Sequence, residues 1–389
     1  MKKTIFILLI IFTSLVAQDD FEQWLKEQDA SLSGAANEEA AALAAISKEF
    51  ENYAAEQEKL FQDFKDEVEK KWGTFKFSSK KVYVDYDIDL DARGSIGDAR
   101  GSIDFEKGEV EIEVVVEQKE GIPNTELEKE AKKKLEKKIE SLVIKPAEDK
   151  KSILADQVAN KKGKKITKKN AKSFSKEVVR SRKPEKKPIK SKDNKKRVKY
   201  SVKFKLLPDH LKTRTDRYKH DVLRQAKRHN LPPSLVFAVI HTESNFNPKA
   251  RSHIPAYGLM QLVPKSGARD AYRYIYKKDK LLRGGYLYNP ENNIELGCAY
   301  LGKLKNVYFK GINDEESAYH CVISAYNTGP GNVAKAFTGT TKLKPTIKKV
   351  NTMSSKKVYS ELRRKLPYKE TRDYLSKVTN RMPYYNSYN

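Results

Sequence analysis

Cysteine is nearly absent: Cys298 and Cys321 are the two in a chain of 389 residues, and neither lies near the amino terminus. No thiol is therefore placed to receive an amino-terminal lipid. Each of the two sits in an apolar helical stretch, which leaves two readings open, a disulfide in an oxidising compartment or a pair of buried thiols. Long apolar runs are equally scarce. One dense run, Thr4 to Val16, follows Met1-Lys-Lys3, and its shortness against the ~20 residues of a bilayer span reads as a secretory signal with cleavage near Ala17, the alternative being an uncleaved anchor. A mean hydropathy of -0.74 with 33% charged residues excludes an integral membrane protein. Histidine and cysteine form no cluster of metal-ligand spacing, so neither metal nor other cofactor is expected.

Negative charge is also in short supply, with 52 acidic residues against 78 Lys and Arg, a net charge of +26 and a pI near 9.6. Such an excess predicts attraction to a polyanion: nucleic acid, anionic lipid or the acidic polymers of a cell wall. The most basic stretch, 145–196, lacks interleaved aromatic side chains apart from Phe174. Nucleic acid is thereby disfavoured, because a strand needs stacking platforms as well as charge. An anionic wall or membrane leaflet remains.

Along the chain, Leu43, Ile46, Phe50, Tyr53, Leu60, Phe64 and Val68 recur at helical spacing and predict one long amphipathic helix over 38–72. Alternation over 81–89 and 102–117, with Lys107-Gly108 as the turn, predicts antiparallel strands. Between them the tandem copies 91–96 and 98–103 read as a local duplication lengthening a loop. Asp85, Asp87 and Asp89 share one strand face without the glycine-bent loop of a calcium cage. A charged helix over 125–142 precedes the basic stretch, whose meagre apolar content predicts a mobile insertion over 145–196. A strand over 198–206 returns to the sheet and Pro208 marks a boundary. The expected organisation is a signal at 1–17, an α+β region at 18–207 and a mainly helical region at 208–389, α+β overall.

The chemistry concentrates in the last region. Pro232-Pro233 opens a helix that is almost wholly apolar through Ile240, and Glu243 closes it. A carboxylate there meets the negative end of a helix dipole and an apolar wall, and both favour its protonated form. The run Ser244-Asn-Phe-Asn-Pro248 forms a turn, Gly258-Leu-Met-Gln261 follows after a loop, and Ala325-Tyr-Asn327 comes later. From Ser244 through Arg269 there is no Asp or Glu, although Asp270, Asp279, Glu291 and Glu295 lie further on. A mechanism with one carboxylate is favoured over one with two.

In order and spacing these three motifs resemble the catalytic domain of the family 1 lytic transglycosylases, the goose-type-lysozyme-like enzymes that cleave bacterial peptidoglycan. The resemblance covers 218–381, and the helix-and-strand region before it is similar, more weakly, to that of membrane-bound members. It implies a lysozyme-like fold and an exported, periplasmic protein acting on glycan strands. It further implies that Glu243 protonates the oxygen between N-acetylmuramic acid and N-acetylglucosamine and then deprotonates the muramyl C6 hydroxyl, leaving a 1,6-anhydro sugar. Ser252 is expected to orient the muramyl N-acetyl group, Met260 and Gln261 to line the cleft, Tyr326 and Asn327 to hold the N-acetyl group or the developing charge, and Tyr374 to close the cleft. A core role for Met260 stays open. So do two rival functions, a hydrolytic muramidase and a glycan-binding protein without turnover.

Overall fold

The computed structural model describes residues 37–89, 95–146, 150–252 and 256–389; the expected signal and the first of the two tandem copies, apart from its last two residues, lie outside them. Helix α1 (Asn37–Trp72) matches the long amphipathic stretch, and at ~1.5 Å per residue it is a rod of about 54 Å. Its buried positions Phe50, Tyr53, Val68 and Trp72 fall on two separate neighbours. Val68 and Trp72 pack on the sheet, whereas the Tyr53 hydroxyl reaches the second region, donating to the Tyr257 hydroxyl at 3.4 Å and accepting from the Gly284 amide at 2.8 Å.

Strands β1 (Val82–Asp89), β2 (Ser95–Asp104), β3 (Glu109–Glu117), β4 (Glu185–Lys190) and β5 (Lys196–Lys205) form one antiparallel sheet in the order β1-β2-β3-β5-β4. The returning strand β5 pairs with β3 throughout, Val110 opposite Phe204 and Val114 opposite Tyr200. The second tandem copy belongs to β2 rather than to a loop. Its Arg100 is needed there, because the guanidinium stacks 4.5 Å from the Trp72 ring and pairs with Glu113. Asp85 and Asp87 are also occupied, each 2.6 Å from the Nζ of the buried Lys138. That lysine lies on α2 (Asn124–Ile144), the charged helix that packs across the sheet.

The expected mobile insertion is corrected by the structure. Ile153, Leu154, Val158 and Ile166 are buried in the same core as the sheet and α2, and α3 (Ala171–Ser181) adds Ala171, Phe174, Val178 and Val179. Those four recur at i, i+3, i+7 and i+8, one helical face, while the lysines between them point to solvent. Charge density hid a sparse but regular apolar pattern.

A second core, from Tyr218 to Tyr385, lies within the helical region. Helices α4 (His210–Arg217) and α5 (Lys219–Arg228) lead to α6 (Pro233–Ser244), whose residues 234–240 are all buried. Around it stand α7 (Arg269–Tyr276), the short α8 (Gly284–Leu287), α9 (Pro290–Lys303), α10 (Glu315–Thr328), α11 (Pro330–Thr338), α12 (Leu343–Val350), α13 (Ser355–Lys365) and α14 (Lys369–Arg381). A final 3₁₀ turn, Met382–Tyr388, lays Tyr385 and Tyr388 on Phe237 of α6. The molecule is α+β overall, with a mainly α second region. Cys298 and Cys321 are both buried and unpaired, and burial raises both thiols well above their usual range.

Candidate active site

Glu243 occupies the last turn of α6 with a side chain that is 6% exposed. The helix ends at Asn245, whose left-handed backbone (φ 52°) donates its amide to the His241 carbonyl. Ser244 then fixes the turn to the next motif, its hydroxyl donating to the Leu259 carbonyl at 2.7 Å. Burial raises the affinity of Glu243 for its proton, and the nearby Lys80 ammonium and Tyr374 hydroxyl only partly offset it. Lys80 Nζ stands 3.3 Å from Glu243 Oε2 and 4.0 Å from a carboxylate oxygen of Glu370, which is itself 78% exposed. Two residues before Glu243, burial drives the His241 imidazole down to about 3, so it is neutral at physiological pH and meets the Tyr385 hydroxyl at 2.9 Å.

The motif after the loop is built on Gly258, at φ 77°. A side chain there would come within 2.5 Å of the Leu287 carbonyl and 2.6 Å of Asn293 Nδ2, so only glycine fits. Asn293 is fully buried and knits the turn, accepting from the Met260 amide and donating to the Tyr257 and Leu287 carbonyls. Gln261 donates to the Ala250 and Gly258 carbonyls, and its Oε1 is buried without a protein partner. Met260 departs from a cleft-lining role. Its side chain is fully buried against Gly297 of α9, where the absence of a Cβ makes room for it. Its carbonyl instead accepts from the Tyr326 hydroxyl at 2.8 Å.

Tyr326 and Tyr374 both come to Glu243. Burial, and after it the Glu243 charge, raises the proton affinity of each phenol. The Tyr374 hydroxyl makes no hydrogen bond of ordinary geometry to protein, although it is close enough to influence the carboxyl. Asn327 works as a brace, its Oδ1 accepting from Thr371 of α14 at 2.6 Å. Ser252 lies further out, lining a cavity of about 200 Å³ with Phe61, Phe75, Phe77 and Arg251, and its hydroxyl accepts from the Ala256 amide. Two site residues escaped the sequence reading. Lys80 belongs to the first region and carries no local motif, and Asn247, inside the motif, proves to be a clamp on that region. Among the described residues no group of three His, Cys, Asp or Glu side chains has metal-binding geometry.

With one buried carboxyl, two phenols and an amide-lined turn on one wall, the site is equipped for proton transfer to a bound neutral ligand. Residues 222–348 match the transglycosylase SLT domain, and residues 43–217 match the N-terminal domain of membrane-bound lytic murein transglycosylase C. Both regions of the chain are thus similar to domains of lytic murein transglycosylases, each over its own span. The membrane-bound lytic murein transglycosylase C of Klebsiella pneumoniae is 40% identical over 190 residues, 49% of this chain and 52% of that protein. The protein of the same name from Salmonella typhimurium shows the same identity and coverage. The chain thus spans about half the length of the curated relatives it matches. Among solved structures, the 70 kDa soluble lytic transglycosylase of Escherichia coli is 25% identical with a TM-score of 0.34, covering 46% of this chain and 26% of that one.

Proposed function

We propose that this protein is a peptidoglycan lytic transglycosylase that cleaves the β-1,4 bond between N-acetylmuramic acid and N-acetylglucosamine. The observation that carries the reading is Glu243, a carboxyl buried at a helix end whose surroundings favour the proton it must give away. Glu243 donates to the glycosidic oxygen as the C1–O bond breaks. The same group, now a carboxylate, takes the proton of the muramyl C6 hydroxyl as O6 closes on C1. Tyr374 and Tyr326 flank the carboxyl and face the sugar, Gln261 shapes the turn beneath it, and Ser252 lies toward the outer cavity. No water enters the balance, and the product is a 1,6-anhydro end.

Glu370 favours a second reading. It is a second carboxylate that shares Lys80 with Glu243, and a two-carboxylate muramidase uses a second acid near the first. The products differ by one water. Digestion of purified sacculi followed by mass spectrometry is expected to give anhydromuropeptides, and Glu243→Gln is expected to abolish them. Reducing muramic ends that vanish in Glu370→Gln identify the hydrolase, and substantial anhydro product from Glu243→Gln refutes the assignment.

The name of the relatives and the basic surface support a location in the cell envelope. We place the protein in the periplasm, with its excess positive charge held against anionic wall or leaflet. No helix of the described residues is long and apolar enough to cross a membrane.

A further inference from the structure

Lys80 precedes Glu243 by 163 residues and stands in the segment before β1, outside the helical region, yet its ammonium bears on the buried carboxyl. The backbone that carries it is held in place. The Ser79 amide donates to the Val82 carbonyl at 2.8 Å, closing a turn just before β1. The carbonyls of Ser79 and Val82 both accept from Asn247 Nδ2, at 2.9 and 3.2 Å, and the Ser78 carbonyl accepts from the Arg251 amide at 3.3 Å. Asn247 is fully buried and stands in the loop that leaves the acid. That loop grips the turn bearing the lysine. The seam continues outward, where the Arg251 guanidinium lies 4.6 Å from the Phe61 ring of α1.

We propose that Lys80 is a positioning residue of the Glu243 site, delivered by the N-terminal region to steady the carboxylate that exists between the two proton transfers. The proposal rests on Glu243 acting as acid and then base. Once the proton has passed to the leaving oxygen, a negative charge remains beside the carbonyl end of α6, where the helix dipole and low polarity both oppose it. An ammonium at 3.3 Å offsets that cost. The contact is looser than a tight charge-assisted hydrogen bond of about 2.8 Å, so it favours the anion without stripping the resting acid of its proton. The groups facing Glu243 divide accordingly: Lys80 from the N-terminal region supports the charge, Glu370 of α14 opposes it and shares the lysine, and Tyr374 of α14 supports it. Tyr326 of α10 sits close by and feels the same carboxylate. Lys80 keeps all its protons throughout.

The test uses the full-length protein with Lys80→Met, Lys80→Arg and Glu243→Gln. Two quantities are followed across pH: kcat and KM for release of glycan fragments, and the ¹³C NMR titration of the Glu243 carboxyl, assigned by its loss in Glu243→Gln. Lys80→Met is expected to lower kcat at neutral pH about tenfold with little change in KM. It is also expected to move the basic limb of the kcat profile and the carboxyl titration upward together, while Lys80→Arg restores both. An unchanged limb and titration in Lys80→Met, or a rise in kcat, overturns the proposal. If the unaltered protein releases no glycan at all, the enzymatic reading fails while the titration still tests the coupling on its own.

Discussion

Glu113 in the sheet and Glu243 at the end of α6 have side chains that are 1% and 6% exposed, yet their proton affinities move in opposite directions. Burial pushes both up. At Glu113 it is overcome by Arg100, which binds through Nε at 2.7 Å and a second nitrogen at 3.2 Å, and by Lys76 and Lys199 at 2.7 and 2.8 Å. The result is a carboxyl pulled down to about 2. Among the described residues Glu243 pairs with one cation, Lys80, further away and on a side chain that is 38% exposed. The same residue is locked as an anion where the fold surrounds it with donors and left ready to trade a proton where it does not. Saturation of partners, not depth of burial, separates a structural carboxylate from a reactive one.

The comparison can be broken most severely at Glu243. Glu243→Gln is expected to lower the rate of glycan release by at least about a thousandfold, as removal of a general acid does, measured as anhydromuropeptide per enzyme. Its Tm at neutral pH is expected to hold or rise. A carboxyl whose folded proton affinity is raised adds stability below the unfolded value, 4.5, and loses it as pH climbs through the folded one. Glu113→Gln is expected to do the reverse, keeping the active-site chemistry but leaving the buried Arg100 without its carboxylate, while Lys76 keeps Glu111. The cost expected from breaking such a buried pair is about 3–5 kcal/mol, read by thermal or urea unfolding.

A pH series sharpens the contrast. With Glu113 depressed from 4.5 to about 2, its contribution is complete above pH 4.5 and lost as pH falls through about 2. Unfolding free energy over that window is expected to fall more steeply in the unaltered protein than in Glu113→Gln. The smallest effect belongs to a surface pair. Lys192 and Glu69 lie 2.6 Å apart at the surface, and Lys192→Ala is expected to leave the Tm unchanged, since water screens what the distance suggests.

Much of this was readable in the sequence where one local rule sufficed. The helices expected over 38–72 and 125–142, found at 37–72 and 124–144, the strands around Lys107-Gly108, and Glu243 at the end of an apolar helix follow from periodicity and end signals. Strand β4 was not readable: Glu185–Lys190 has one apolar side chain besides Pro188 and is recognisable as an edge only once β5 is beside it. The stretch 145–196 misled because lysine pairs masked buried residues spaced for a helix face. Met260 was ambiguous until Gly297 supplied the notch that receives it. Lys80 is one lysine among many in a basic chain, and no local pattern sets it apart; its role is created by a fold contact across 163 residues.

The amide of Asn247 carries a consequence for ancestry. Because it clasps two carbonyls of the preceding region from within the loop that leaves the acid, the two halves of this chain are not interchangeable cassettes. A recombinant that kept the helical half but borrowed a foreign leader would have to reinvent a matching backbone bend at the seam, so lineages carrying this junction are expected to inherit both halves as one unit.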